Sequence, residues 1–439
     1  MKRNSIFGPG WLVAGLWFVL SVGFPLSRAA QSGTPGSAAL EMLVADVLEG
    51  NPELGFYRAE IRAAEGGHRT AGTRQNPALS VIGGRRHVTA GGLSAEGVAW
   101  SVSAQQTFEW PGRIPLRKAI ANRDVALAEL GLEQFRAALA ARARSVVYGL
   151  LAAQEKEAAA MEVAGRFREL REVLVQRDPA GLTPRLETRI IEATELTMQR
   201  KATEARLASQ AALLELNQLR GRPWSESMKV ESVVLTFAPV PDTDTLLSAA
   251  RTNNFELRMR QVELEQQGFR VSLAKKDGFP SVTVGPYFSN EGAGGREQQI
   301  GLGISFPLPL WNRNKGGVET AEARRQQAEV SMFVAQRTME RQIVQQALTY
   351  QTKLSEMGNW RPESVDEFRG AAVLADRHYR LGAVPVATYV ELQKQYLEAV
   401  EALLDTRHEA LEAGQKIEVL TGLELHMVRT ETPKPAVTP

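Results

Sequence analysis

The sequence contains the same unit twice, and this duplication constrains the fold more strongly than any other feature. Residues 43–84 align without a gap on residues 246–287, at a constant offset of 203. Identical pairs at this offset are Leu43 and Leu246, Asn51 and Asn254, Glu53 and Glu256, Leu54 and Leu257, Glu60 and Glu263, Pro77 and Pro280, and Val81 and Val284. Because later landmarks recur in the same order, each unit spans about 200 residues, far longer than a solenoid repeat.

Each unit is predicted to form a helix, two strands, a very long helix, a turn and a return helix. In the first unit, residues 39–75 have a helical composition until Asn76, because a residue before proline is pushed out of the α region. Residues 114–177 are rich in Ala, Arg, Glu and Leu and contain no clear stop. At 1.5 Å per residue they predict a rod of roughly 95 Å, which needs partners along its length.

The two shorter helices of a unit together match the long one, so we expect them to stack end to end beside it. Long helices are predicted over residues 114–177, 185–220, 317–380 and 386–420. Small and flexible side chains recur at heptad spacing in the third of these helices, at Ala321, Ala328, Ala335, Met332 and Met339. This spacing predicts close packing of long helices, but an ordinary coiled coil without a channel would show it too.

The strands alternate apolar residues with small or polar ones. They are predicted over about 77–88, 97–109, 280–289 and 298–308. The clearest alternation sets Val98, Trp100 and Val102 against Ala99, Ser101 and Ser103, and Ile300, Leu302 and Ile304 against Gly301, Gly303 and Ser305. This pattern is typical of a barrel wall that faces lipid outside and water inside. A half-buried sheet in a soluble protein alternates in the same way.

The N-terminus is predicted to be an export signal. Lys2 and Arg3 precede an apolar stretch from Trp11 to Phe24, and small residues follow at Ser27 and Ala29. This order predicts a signal peptide cleaved after about Ala29. The alternative is an uncleaved anchor, but about 14 apolar residues are short for a membrane span. No later stretch approaches the length of a membrane helix, so a membrane form would have to be a barrel.

Composition and motifs argue against several classes of function. The chain has 52 Lys and Arg against 50 Asp and Glu, so it lacks the basic excess typical of nucleic-acid binding. It contains no cysteine, which excludes disulfides. Its histidines show no metal-site spacing and are predicted to lie at the surface, at His68, His87, His378, His408 and His426. We found no nucleophile elbow or Walker motif, and we predict no catalytic residue, no cofactor and no metal.

Two motifs resemble those of a known family. Residues 51–54 (NPEL), followed by residues 75–79 (QNPAL), resemble the opening of the TolC-like outer-membrane efflux proteins. Residues 306–316 (FPLPLWNRNKG) resemble the junction between barrel and long helix in the cobalt-zinc-cadmium branch of that family. The resemblance covers nearly all of the chain after the signal peptide.

The resemblance implies an architecture and a set of partners. The fold class is mainly α with a small β part: a barrel of long antiparallel coiled-coil helices, and four strands per chain that join a trimeric 12-stranded transmembrane β-barrel. The homotrimer would lie in the lipid of the outer membrane, with its helices in the periplasm. Its partners would be a periplasmic adaptor protein and an inner-membrane pump of the resistance-nodulation-division type, and it would bind no nucleic acid.

The resemblance also divides the chain and assigns candidate sites. The predicted parts are residues 1–29 (signal peptide), 30–38 (flexible segment), 39–222 (first repeat), 223–244 (equatorial connector), 245–422 (second repeat) and 423–439 (flexible tail). The predicted adaptor-docking tips are Gly181, Leu182 and Thr183 in the first repeat and Gly382, Ala383 and Val384 in the second. The residues predicted to line the periplasmic aperture are Tyr379, Thr388 and Glu391. The family's aperture arginine falls on Val384 and its first aspartate on Thr388, so the usual ring of charges is incomplete.

Three functions therefore remain open from the sequence. The first is a passive outer-membrane duct of a tripartite efflux system, with divalent heavy-metal cations as the first choice of cargo. Drugs, other small molecules or type I secretion substrates are the alternative cargo. A soluble periplasmic coiled-coil scaffold and an enzyme with an unrecognised site are the other two functions. The cargo, the pump and adaptor, the open or closed state and the cleavage site are not encoded in any pattern we found.

Overall fold

The computed structural model describes residues 37–38, 40–90, 92–177, 185–231, 234–360 and 364–431. The predicted signal peptide and the first helical tip, Gly181 to Thr183, lie outside the described residues. Among the helices of this described part, none is both long and apolar enough to cross a bilayer.

The first repeat contains the predicted helices and strands, with one additional break. After β1 (Ser37–Ala38), helices α1 (Leu40–Gly50) and α2 (Glu53–Ala71) divide the predicted helix at Asn51-Pro52. Strands β2 (Ala78–Ala90) and β3 (Leu93–Phe108) follow. The long helix α3 (Arg113–Arg177) has 65 residues, and α4 (Arg185–Leu219) returns beside it. Proline at position 52 explains the break, since it disfavours the α region for the residue before it, and Asn51 lies outside both helices.

A short connector leads into the second repeat. It contains β4 (Lys229–Val230) and β5 (Val234–Phe237). Helices α5 (Thr243–Asn253) and α6 (Phe255–Asp277) then lead to strands β6 (Val282–Gly292) and β7 (Arg296–Ser305). The remaining elements are α7 (Lys315–Gly358), α8 (Ser364–Arg380), α9 (Val386–Thr421) and β8 (Val428–Glu431). The repeat thus follows the order of the first one.

The prediction of one helix over residues 317–380 is wrong. The structure has two helices there, α7 ending at Gly358 and α8 beginning at Ser364. Pro362 lies between them, and a proline inside a helix removes a hydrogen bond and clashes with the preceding turn. The long helix of the second repeat is therefore segmented, whereas α3 is continuous.

Four strands, two from each repeat, form one antiparallel sheet in the order β2-β3-β6-β7. The repeats meet where β3 pairs with β6, with Val102 opposite Phe288. The mainly α fold, with four long strands of each chain in one sheet, is therefore confirmed. Both outer strands, β2 and β7, have one unpaired edge in this sheet.

The predictions of a flexible segment up to residue 38 and a flexible tail from residue 423 are wrong in part. Residues 37–38 pair in parallel with β4, and β8 pairs in antiparallel fashion with β5. Met427 is buried, and the single hydrogen of the Tyr350 hydroxyl is shared between the carbonyls of Ala238 (2.8 Å) and Met427 (3.0 Å). Both ends of the described chain are therefore paired with strands of the connector.

The helices form a layer of four columns. Helices α2 and α4 pack mainly against α3, which also packs against α6 and α9, and α4 makes a smaller contact with α9. Helix α7 packs against α6 and α9, and α8 against α9. The α2/α4 column and the α7/α8 column are therefore the two outer columns. Since α2 leads into β2 and β7 leads into α7, the edges of the helical layer match the edges of the sheet.

Two equivalent asparagines hold the stacked helices of each repeat end to end. Asn51 donates a hydrogen bond to the Leu219 carbonyl at the end of α4 (3.0 Å), and its side-chain oxygen accepts one from the Glu53 amide (2.9 Å). Asn254 likewise donates to the Leu420 carbonyl (2.8 Å) and accepts from the Leu257 amide (3.0 Å). Both side chains are buried. The duplicated asparagines thus cap one helix and satisfy the last turn of another.

Replacing Asn254 with alanine is expected to lower the free energy of unfolding by about 1–3 kcal/mol, because a buried carbonyl loses its donor and α6 loses its cap. Chemical denaturation followed by circular dichroism measures this. The neighbouring Asn253→Ala serves as the control, and an equal loss in both variants would contradict the capping role.

Candidate functional site: two open edges and a helical tip

One face of the sheet is apolar and exposed. The side chains that share it include Leu79, Val81, Val98, Trp100, Ile300, Leu302 and Ile304, all of them exposed. Ile300 has 84% of its surface exposed, and Trp100 contacts Phe288 with ring centroids 5.3 Å apart. An apolar patch of this extent on a four-stranded sheet marks a surface that meets another apolar phase.

The opposite face of the sheet carries small and polar side chains. Ser101 stands opposite Ser289, and the hydroxyls of Thr107 and Thr283 lie 3.0 Å apart. Near the hairpin ends of the strands, Arg86 donates to Glu297 (3.1 Å) and to Glu291. This face can therefore line a water-filled space, with one cation between two carboxylates at its end.

The two outer columns of helices also expose apolar side chains. On the α2/α4 column these are Phe56, Leu186, Ile190, Leu196, Leu207 and Leu214. On α7 they are Val330, Phe333, Val334, Val344 and Leu348, whereas Ile343, Ala347 and Tyr350 of the same helix are buried against the chain's own core. Each outer column thus has a second apolar side that its own chain does not cover.

The turn between α8 and α9 is the described helical tip. Gly382 has φ +75°, a conformation that disfavours residues with a Cβ, and a Cβ added there would meet open space. Gly382 and Ala383 are exposed and Val384 is half-buried. A cleft of about 320 Å³ lies beside the turn, lined in part by Leu170, Glu187 and Pro385. The tip therefore presents a small, mostly uncharged surface in a fixed conformation.

The predicted aperture residues separate into two groups. Tyr379 stacks on Tyr389 (5.2 Å, 17° between the rings), and Tyr389 contacts Phe167 of α3 (5.2 Å). Burial, and then the Asp376 carboxylate, raise the pKa of Tyr389, so its hydroxyl stays protonated. This aromatic stack joins α8, α9 and α3.

Thr388 and Glu391 instead lie on the exposed side of α9. The Glu391 carboxylate accepts a hydrogen bond from Gln395 (3.1 Å) on the same side of the helix. The structure therefore places the acidic position on a surface and Tyr379 within a packed cluster.

Arg380, the residue that follows Tyr379, was not predicted from the sequence as a site residue. Its guanidinium donates to Asp376 of the same helix (2.8 Å) and to Glu169 of α3 (3.4 Å). The pair with Glu169 ties α8 to α3 across 211 positions of sequence. The only sequence clue was the i,i+4 spacing of Asp376 and Arg380, which does not indicate the partner on α3.

One cluster between α3 and α9 resembles catalytic machinery in composition alone. Ser145 and Glu412 both approach Nε2 of His408, at 3.4 and 3.3 Å. A catalytic triad needs the carboxylate on the other imidazole nitrogen, so this geometry does not activate the serine. The prediction that His408 lies at the surface is only partly right, since its side chain is 28% exposed and is otherwise covered by the two helices. Within the described part of the chain, no group of three metal-ligating side chains could hold an ion.

Comparison with known proteins agrees with this architecture. Residues 246–423 match the model of the outer membrane efflux protein family. The chain resembles the outer membrane efflux proteins. The matched range coincides with the second repeat, and no curated protein matches the chain.

Solved structures of outer membrane efflux proteins and related channels share the fold over most of the chain. CusC is 14% identical and covers 88% of this chain and 93% of its own, with a TM-score of 0.70. The outer membrane channel CmeC of Campylobacter jejuni is 15% identical and covers 94% of both chains, with a TM-score of 0.73. The open state of the MtrE channel of Neisseria gonorrhoeae is 16% identical, covers 88% and 89%, and has a TM-score of 0.67.

Proposed function

We propose that three copies of this chain close into one outer-membrane duct that conducts substrates passively from the periplasm to the exterior. The observation that carries the proposal is the coincidence of open edges. The sheet and the helical layer each end in two unsatisfied edges, and the edges of both lie on the same two sides. A single rotation that relates one copy to the next would therefore cover the open edges of the sheet and of the helical layer at the same time.

The sheet supports closure because of its hydrogen bonds and its faces. An open strand edge in hydrocarbon leaves amides and carbonyls unpaired, at a cost of several kcal/mol for each group. Pairing β7 of one copy with β2 of the next satisfies both edges and repeats head to tail until a ring closes. The apolar face, which includes Ile300, then meets lipid, and the face that includes Ser289 encloses water.

The helical columns support the same ring. The α7 column of one copy would meet the α2/α4 column of the next. Leu214 lies five residues before Leu219, the end of α4 that Asn51 contacts. Val344 lies four residues after Glu340, which forms an ion pair with Arg251 (2.9 Å), close in sequence to the equivalent Asn254. Apolar side chains thus stand at corresponding heights on the two edges, as a buried interface requires.

Partners and cargo follow from the family resemblance. The Gly382 turn and the first tip would dock a periplasmic adaptor, and an inner-membrane pump of the resistance-nodulation-division type would supply the energy. Divalent heavy-metal cations are the first choice of cargo, and drugs or type I secretion substrates are the second. Growth of a deletion strain on cadmium, zinc or cobalt salts, compared with growth on lipophilic drugs, distinguishes the two.

We further propose that Arg380, through its ion pairs with Asp376 and Glu169, helps to keep the periplasmic aperture closed. A partly exposed ion pair contributes up to about 1 kcal/mol, so Arg380→Ala should shift the open-to-closed ratio by up to about fivefold for each chain. Single-channel conductance in planar bilayers measures the shift. Arg377→Ala, an exposed arginine on the same helix, is the matched control. Equal conductance in both variants would contradict the role of Arg380.

The proposed duct is tested by inserting the detergent-purified protein into planar bilayers. Stepwise ion conductance, together with outer-membrane fractionation that resists alkaline extraction, is the expected result. A soluble scaffold would instead appear in the periplasmic fraction and would not change bilayer conductance.

A further inference from the structure

The segment between the sheet and α7 exposes a concentrated apolar surface that the duct itself does not explain. We call residues 306–314, between Ser305 at the end of β7 and Lys315 at the start of α7, the junction loop. Its exposed side chains are Phe306, Leu308, Leu310 and Trp311, and Trp311 has 94% of its surface exposed. No other described tryptophan is as exposed.

The backbone of the junction loop is held in place, so the exposure is not a consequence of an unanchored chain. Asn314, at φ +58°, donates to the Ala274 carbonyl of α6 (2.8 Å), and its amide hydrogen-bonds the Asn312 side chain (2.9 Å). The Arg313 carbonyl lies so close to Gly278 that a Cβ there would approach it to 2.7 Å. These contacts fix the base of the loop and leave its apolar side chains directed away from the chain.

The apolar surface of the loop continues that of the sheet. Phe306 follows Ile304 in the alternation that places Ile300 and Leu302 on the apolar face. Just after the end of β3 in the first repeat, Trp110 stacks on Phe279, which lies just before β6 (ring centroids 4.7 Å apart, 11° between the rings). The exposed band thus ends in aromatic rings, the residues that prefer the boundary between acyl chains and headgroups.

Two exposed cations, Arg313 and Lys315, follow this band along the chain. Among the residues the structure describes, neither Arg313 nor Lys315 forms an ion pair with a carboxylate, and Lys315 is exposed. The Arg313 guanidinium donates a hydrogen bond to the Pro309 carbonyl of its own loop, at 3.4 Å. An apolar surface followed by unpaired cations is complementary to acyl chains followed by phosphates.

We propose that the junction loop is a membrane anchor, seated in the phospholipid leaflet at the periplasmic end of the barrel. Phe306, Leu308, Leu310 and Trp311 enter the acyl boundary, and Arg313 and Lys315 meet the lipid phosphates. This inference rests on the proposed duct. It assigns the loop a lipid partner, where a neighbouring copy of the chain would be the alternative occupant.

Tryptophan quenching in vesicles tests the anchor. The full chain and its Trp311→Phe variant are reconstituted in phosphatidylcholine and phosphatidylglycerol vesicles, with or without lipids brominated near the headgroup end of the acyl chain. The difference between the two spectra isolates Trp311. Its emission is expected to fall at least about twofold in the brominated vesicles, as for a ring at the interface. Trp224, 79% exposed in the connector, is the matched control. Its emission, isolated in the same way with a Trp224→Phe variant, should be equal in vesicles with and without brominated lipid.

Two outcomes would overturn the anchor. If aqueous acrylamide quenches Trp311 as strongly as Trp224 and brominated lipid does not, the loop lies in water. If neither agent quenches it, a neighbouring copy covers it. Trp100, on the apolar face of the sheet, separates these results from a failure of the duct. If brominated lipid quenches Trp100 but not Trp311, only the anchor is contradicted. If brominated lipid quenches neither, the duct is contradicted as well.

Discussion

Replacing Ile300 with arginine is expected to abolish assembly in the outer membrane. Ile300 stands near the middle of β7 on the apolar face of the sheet. An arginine at the lipid-facing midplane of a barrel costs about 2–4 kcal/mol, so three copies cost about 6–12 kcal/mol together. Outer-membrane fractionation and heat-modifiable mobility of the trimer in gels measure the loss.

The adjacent residue provides a matched control on the opposite face. Gln299 precedes Ile300 on the same strand and, by the alternation of side chains, faces the polar side. The Gln299→Arg variant should therefore assemble in the outer membrane normally, and only its ion conductance should change. If the sheet faced water on both sides, arginine at position 300 would leave stability within about 0.5 kcal/mol, and Ile300→Arg would assemble as well as the control.

Replacing Val344 and Leu348 together with aspartate is expected to convert the assembled protein into single chains in detergent. Both side chains are exposed on α7, about 100° around the helix axis from the buried Ile343 and Ala347, so the fold of the chain itself should survive. Burying two unpaired carboxylates in each of three interfaces costs several kcal/mol for each interface. Light scattering of the detergent-solubilised protein measures the fall in mass.

The control for the α7 edge keeps the apolar character of both positions. Val344→Ile with Leu348→Met should retain the assembled mass, because both side chains stay apolar and neither changes in size by more than about one methylene. A wild-type mass in the aspartate variant, with unchanged circular dichroism, would show that this side of α7 does not meet another copy.

The sequence predicted those parts of the fold that depend on local periodicity. The alternation around Trp100 and Ile300 identified the strands, and the uninterrupted composition of residues 114–177 identified α3. The duplication predicted that both repeats share one order of elements. The break between α7 and α8 was also predictable from Pro362, but the helical composition on both sides outweighed it.

Contacts between distant segments could not be predicted from the sequence. Strand β8 has four residues and is recognisable only through its pairing with β5, almost 200 positions away. The partner of Arg380, Glu169, lies 211 positions earlier, on a stretch of α3 with several other charged residues that could equally have been its partner in the sequence. The aperture position Glu391 was reached only by resemblance to a family, and its role stays a prediction.

Cross-linking of the edge strands tests the central claim most directly. The chain contains no cysteine, so Ser80→Cys on β2 and Ser305→Cys on β7 add one thiol to each open edge without background. A thiol cross-linker that reaches about 10 Å spans roughly two strand spacings. In outer membranes the closed ring predicts a covalent ladder that ends at three chains. A product that stays at one chain, or a ladder that continues beyond three, would contradict it.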